Sequence, residues 1–131
     1  MNTSQTKLRH LLPVLLLGLA SCEGGTTFTN TIDNQTAETL TVKLFTTYGV
    51  RDPVTVPAGE STEIFWDDQV GFFVDDSHTC TEFIDSVQVT VTNGRTLAKD
   101  LLDSDQWEKS TRSGRNSRVD CTFVLTEADL E

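Results

Sequence analysis

Phe83-Ile84-Asp85-Ser86-Val87-Gln88-Val89-Thr90-Val91-Thr92-Asn93-Gly94 is the stretch from which the fold is read. Val87, Val89 and Val91 recur at every second residue against Ser86, Gln88 and Thr90, the period of a strand with one buried face rather than of a helix. Asn93-Gly94 comes directly after, and a two-residue type I′ turn needs positive φ at both central positions. The stretch therefore predicts a strand over Phe83–Thr92, a tight turn, and a return strand from Arg95 to about Lys99.

The same period extends in both directions. Towards the N-terminus, Leu40, Val42 and Leu44 alternate with Thr41, Lys43 and Phe45, ending near Thr47. Gly49, Asp52 and Pro53 make a loop. Val54 and Val56 form a short strand closed by Pro57-Ala58-Gly59. Thr62, Ile64 and Trp66 alternate against Glu63 and Phe65 until Asp67-Asp68 breaks the run, and Val70–Val74 gives a further strand ended by Asp75-Asp76-Ser77. Phe28 and Ile32 share one face of a first strand in which Asn30, a poor strand former, falls on the apolar phase. Asp33-Asn34-Gln35-Thr36 supplies turn residues. Towards the C-terminus, Leu101–Trp107 suits one helical turn, Lys109–Asn116 is a polar loop, and Val119, Cys121, Phe123 and Leu125 alternate into a last strand. Thr126–Glu131 is an acidic tail. Seven or eight short strands, with turn signals about every ten residues and no long helix, predict an all-β fold: an antiparallel, Ig-like β-sandwich, with a small closed β-barrel as the alternative.

The first 22 residues obey a different logic. Lys7 and Arg9 precede the apolar run Leu11–Leu19, and Leu19-Ala20-Ser21-Cys22 closes the segment. A basic start and a short apolar segment make a secretory signal, and the run is too short for a bilayer span of roughly 20 residues. Leu19-Ala20-Ser21-Cys22 resembles the lipobox of bacterial lipoproteins. That resemblance implies a signal peptide over 1–21, a diacylated Cys22 with an acylated new amine, and attachment to a membrane through the lipid. Glu23, where inner-membrane lipoproteins usually carry Asp, points to the outer membrane of a Gram-negative cell. On this reading residues 22–27 are a lipidated tether, reaching about 17 Å, and 28–131 are the folded domain.

Removal of 1–21 leaves 110 of the 131 residues, the size of one domain, and moves the formal charge from −10 to −12, since the segment holds Lys7 and Arg9 and no acid. Such a surface repels nucleic acid and steers cationic partners. With Cys22 committed to lipid, Cys80 and Cys121 are an even pair in an exported domain, which predicts a disulfide. His78 is the one imidazole of the mature chain, and no CxxC spacing supplies a zinc site.

Catalytic constellations are not legible. Asp76, Ser77 and His78 are contiguous, and a triad needs side chains converging from separate elements. No GxSxG is present. The expectation is a protein that is not an enzyme and has no cofactor. Two acidic groups are candidate cation ligands, Asp67, Asp68, Asp75 and Asp76, whose doublets would flank one hairpin, and the series Asp100, Asp103, Asp105 and Glu108; neither matches an EF-hand loop. Lys109, Arg112, Arg115 and Arg118 place four cations within ten residues of an acidic chain, a candidate contact for phosphate or carboxylate groups such as lipid headgroups. Trp66 and Trp107 are either glycan platforms or core residues. Asn34-Gln35-Thr36 matches the N-glycosylation sequon, and Asp85-Ser86-Val87 is similar to an O-glycosylation acceptor of bacterial envelope proteins.

The expectation that results is a lipid-anchored, non-enzymatic envelope protein whose sandwich binds a protein or glycan partner or scaffolds an assembly. The alternative is an inhibitor of a cationic cell-wall hydrolase, since a small, acidic, anchored chain with one disulfide is similar to lysozyme-inhibitor lipoproteins. Those carry Ser-Gly-x-x-Tyr, and here Ser113-Gly114 is succeeded by Arg115-Asn116-Ser117. A small hydrolase is the third reading.

Overall fold

The computed structural model describes residues 24–71 and 78–131. Their strands are β1 (Gly25–Asn34), β2 (Leu40–Thr46), β3 (Gly49–Val50), β4 (Val54–Val56), β5 (Ser61–Val70), β6 (Ile84–Val91), β7 (Glu108–Arg112) and β8 (Asn116–Leu125). The first sheet has the order β5-β1-β8-β7. In the second, β2 is central, with β6 along one side and β3 and β4 end to end along the other. The result is an all-β sandwich of two sheets, not a closed barrel.

Alternation places one face of each strand in the core. Phe28 and Ile32 of β1 and Val119, Phe123 and Leu125 of β8 meet Leu40, Val42 and Leu44 of β2. Ile32, Leu40, Phe123 and Leu125 are fully buried, and each such side chain contributes about 1.5–3 kcal/mol relative to exposure. β1 and β8 run parallel and in register from Gly25↔Asn116 to Asn34↔Leu125, so the first and last strands are zipped together at the centre of their sheet. The other pairings are antiparallel, as expected.

β1 is longer at both ends than its apolar residues suggested. Gly25, Thr26 and Thr27, read as tether, pair with β5 and β8, and Asp33 and Asn34, read as turn, complete the strand. Asn30, the misfit on the apolar phase, is buried because its Nδ2 donates to the Cys80 carbonyl at 2.8 Å. A hydrogen bond removes the cost of burying that amide.

The Asp67-Asp68 doublet does not end β5. The strand continues to Val70, because Asp68 faces solvent, where it accepts from Thr27 Oγ1 at 2.6 Å. Asp67 accepts from Gln69 Nε2 at 3.1 Å. The ladder of β1 and β5 shifts between Asn30 and Thr31, leaving Ile64 as an extra residue. That bulge inverts the alternation. Ile64 and Phe65 are both buried, and Trp66 is thrown to the outer face. The expected strand Val70–Val74 keeps only Val70, as the last residue of β5; Gly71 is a turn residue with φ 71°, and 72–74 lie outside the described residues.

Asn93 and Gly94 take positive φ, 62° and 68°, as the sequence required. The return strand does not form. Residues 95–99 pair instead with the C-terminus: Thr96 and Glu131 exchange main-chain bonds at 3.0 and 2.9 Å, and Ala98 N donates to the Asp129 carbonyl at 2.8 Å. The acidic tail is therefore folded. It makes a 3₁₀ turn over Glu127–Asp129, closed by the Asp129 carboxylate on the Thr126 amide at 2.8 Å, and it buries Leu130. Lys109–Asn116, read as a loop, holds Lys109–Arg112 of β7 and the first residue of β8. The five side chains of β7 are all exposed, so an edge strand held to β8 only by its main chain carries no apolar alternation.

Glu127 latches this C-terminal turn. It accepts from the Ala37 amide at 2.6 Å and from Arg95 Nη1 at 2.9 Å, and these bonds hold its carboxyl below the usual glutamate value. A carboxyl with a lowered folded-state pKa stabilises fully above its unfolded value, about 4.3, and loses the contribution as pH falls through the folded value. Glu127→Gln is thus expected to lower the urea midpoint at pH 7, with the gap from the parent shrinking below about pH 4. A gap that persists unchanged to about pH 2.5 would mean that the carboxylate charge is irrelevant to the latch.

Candidate functional site

The outer face of the first sheet is a polar array set by register. Asp68, Thr27, Arg118 and Arg112 lie across β5, β1, β8 and β7 as one row, and Trp66, Thr29, Asp120 and Ser110 as the next. A third row is Glu63, Thr31, Thr122 and Glu108. Asp120 is the hub. It accepts from Thr29 Oγ1 at 2.6 Å, and from Arg118 Nη2 at 3.1 Å and Nε at 3.3 Å. Partial burial pushes the Asp120 carboxyl up. The hydrogen bonds from Arg118 and Thr29, with the charges of Arg118 and Arg112, outweigh that and hold it below the usual carboxylate value. At the β5 end of this array Trp66 is 53% exposed. It borders an open groove of about 360 Å³ whose lining includes Arg51, Asp52, Glu63 and Phe65. The Arg51 guanidinium sits over the Phe65 ring, 5.4 Å from its centroid. A flat aromatic face beside carboxylates and a guanidinium offers stacking together with donors and acceptors, a chemistry suited to a polar ligand with an apolar face.

The four expected anion-contact cations do not form one group. Arg112 and Arg118 stand opposite each other on the outer face, with Arg118 bound to Asp120. Lys109 is on the alternate phase of β7 and donates to the His78 carbonyl at 2.7 Å. Arg115 is in the β7–β8 turn, where its carbonyl accepts from Gly25 N at 3.1 Å. The acidic groups disperse as well. Asp67 and Asp68 are successive strand residues facing opposite sides of the sheet, while Asp75 and Asp76 lie outside the described residues. Asp100 and Asp103 accept from the amides of Leu102 and Asp105, at 2.9 and 3.0 Å, and so fix their own turns. Among the described residues no three His, Cys, Asp or Glu side chains converge as metal ligands.

The predicted disulfide is present between Cys80 and Cys121, with Cα atoms 5.7 Å apart. His78 is buried against the Phe28 ring and bonded through Nδ1 to Glu82 at 2.9 Å, a packing role beside the bridge. Of the two tryptophans, Trp107 is core: its Nε1 donates to the Leu101 carbonyl at 3.0 Å and its ring meets Phe123 edge-on. Asn34, the sequon residue, is fully buried, and its amide is consumed by internal hydrogen bonds. Ser86 of the O-glycosylation-like triplet is exposed on β6. Cys22 lies outside the described residues. No protein-family description, no curated protein and no solved structure matches this chain.

Proposed function

We propose that this chain is a lipid-anchored, non-enzymatic protein of a Gram-negative outer membrane, and that its sandwich binds a protein or glycan partner. The observation that carries the reading is the closeness of the lipobox cysteine to the first strand. Gly24 O accepts from Gly71 N at 2.8 Å, and Gly25 N donates to the Arg115 carbonyl. A side chain at Gly24 would place its Cβ 2.0 Å from that carbonyl oxygen, so glycine is needed where the chain enters between two loops. Because Gly25, Thr26 and Thr27 belong to β1, a chain lipidated at Cys22 would have only two residues, Cys22 and Glu23, ahead of Gly24, at most about 7 Å when extended. A lipid on Cys22 would hold the Gly25 end of the sandwich against the bilayer, with β1 leading away from it.

The partner-binding part of the reading is supported by Trp66 and its row of outward charges, which lie on the side of the first sheet turned away from the core. The absence of an enzyme role is supported by the use of His78 for packing. Mass spectrometry of protein extracted from membranes is expected to find a triacylated N-terminal Cys22. Cys22→Ala is expected to release the chain from the membrane fraction or to block its processing. An unmodified Cys22 in soluble periplasmic protein would overturn the proposal.

A further inference from the structure

We infer that the free edge of β6 is a strand-addition site for a cationic, extended polypeptide segment. Thr92 N donates to the Thr39 carbonyl at 3.0 Å, and the ladder then pairs Thr90 with Thr41 and Gln88 with Lys43. In an antiparallel ladder the bonded residues alternate, so the main-chain N–H and C=O groups of Val87, Val89 and Val91 point away from β2. Among the described strands β6 has no partner on that side. An open groove of about 430 Å³ runs there, lined by Val87, Val89 and Val91 and walled by Arg95, Leu97 and Leu101.

Comparison with the other sheet margins sharpens the point. Exposed edges are ordinarily blunted by charge, proline, bulges or brevity. β7 is five residues long and carries Glu108, Lys109 and Arg112. β3 and β4 have two and three residues, with Pro53 before β4 and Pro57 after it. β5 is kinked by the Ile64 bulge and bears Glu63, Asp67 and Asp68. β6 has eight residues; its one charge, Asp85, and its one register shift, which leaves Asp85 unpaired, both lie at its start, and Ser86 to Val91 carries none of these devices.

The wall formed by residues 94–101 narrows the groove, which suits a single extended segment better than the edge of a second sandwich. A chain of net charge −10, with Asp85 on β6 two residues before the groove's first lining residue, Val87, and Arg95 neutralised by Glu127 at 2.9 Å, selects a positively charged occupant. Alternate apolar side chains of that segment would enter between β6 and Leu97 and Leu101, the usual division of labour in strand addition. The inference does not depend on the lipid anchor.

The test uses the full-length protein and a synthetic peptide of about eight residues, alternating valine with threonine and ending in lysines. Added peptide is expected to protect the Val87 and Val89 amides from hydrogen exchange while leaving the Gln88 amide, already paired with β2, unchanged. N-methylation of the peptide's pairing amides should weaken binding at least about tenfold, and this arm leaves the protein untouched. Val89→Pro removes an outward N–H without breaking a ladder bond and should do the same. Exchange of Val87 and Val89 that ignores the peptide, binding indifferent to N-methylation, or occupation of the edge by a second copy of the chain in a concentration-dependent dimer would each overturn the inference.

Discussion

Reducing the Cys80–Cys121 bridge, or replacing both cysteines by alanine, is expected to lower the melting temperature by roughly 15–30 °C. The bridge joins the segment leading into β6, in the second sheet, to the centre of β8, in the first. It is thus a covalent staple across the sandwich. Its sequence separation is 41 residues, and closing a loop of that length removes roughly 4 kcal/mol of unfolded-chain entropy. A domain of this size has only about 5–15 kcal/mol in total. Both cysteines are buried, and Cys80 also presents its carbonyl to Asn30, so the bridge fixes an internal hydrogen bond as well as a distance. Calorimetry with and without reductant measures the shift. A change of only a few degrees would mean that the reduced chain keeps the two sheets together without the bridge.

The bridge was legible in the sequence, because an even pair of cysteines in a chain read as exported leaves few other roles. The period-two strands were legible for a local reason, each alternation being written in consecutive residues. Non-local pairing escaped. Asn93-Gly94 encodes its turn correctly, yet residues 95–99 pair with the C-terminal Thr126–Glu131 segment rather than folding back on β6, and nothing within 93–99 names that partner. The parallel pairing of β1 with β8 is hidden in the same way. Trp66 was assigned a face by counting twos, and the Ile64 bulge inverted the count. Such a bulge has no signature in an unbroken run of strand-forming residues. β7 was missed because an edge strand with every side chain in solvent looks, in sequence, like a loop. The candidate site suffered most from this. The four cations adjacent in sequence are separated by alternation, a turn and Asp120, whereas the array around Trp66 draws on four strands that no spacing connects.

Replacing Asn34 is expected to produce the largest effect of any single polar substitution in this domain. Asn34 ends β1, fully buried, on the same phase as Asn30 and Ile32. Its Nδ2 donates to the carbonyls of Glu38, Pro57 and Val56, at 2.8, 3.1 and 3.3 Å. Its Oδ1 accepts from the Thr36 amide at 3.1 Å and the Thr36 hydroxyl at 2.7 Å. One side chain therefore ties the end of β1, the turn into β2 and the end of β4. Asn34→Ala leaves these partners unpaired, the Val56 carbonyl and the Thr36 amide within the core and the Glu38 and Pro57 carbonyls at its margin, and a buried polar group left unpaired costs about 1–3 kcal/mol. With several orphaned at once, the expected loss is about 3 kcal/mol, or roughly 10–20 °C in melting temperature. Asn34→Asp keeps the shape but turns a carboxylate oxygen towards carbonyls that need a donor. Burial among acceptors would raise that carboxyl's folded-state pKa above its unfolded value, so the variant should be weakest at neutral pH and recover as the pH falls and a donor proton returns. Urea denaturation of both variants at neutral and acidic pH separates this network from simple packing. An alanine variant within about 0.5 kcal/mol of the parent would show that water replaces the amide at no cost, and an aspartate variant indifferent to pH would show that its position does not discriminate donor from acceptor.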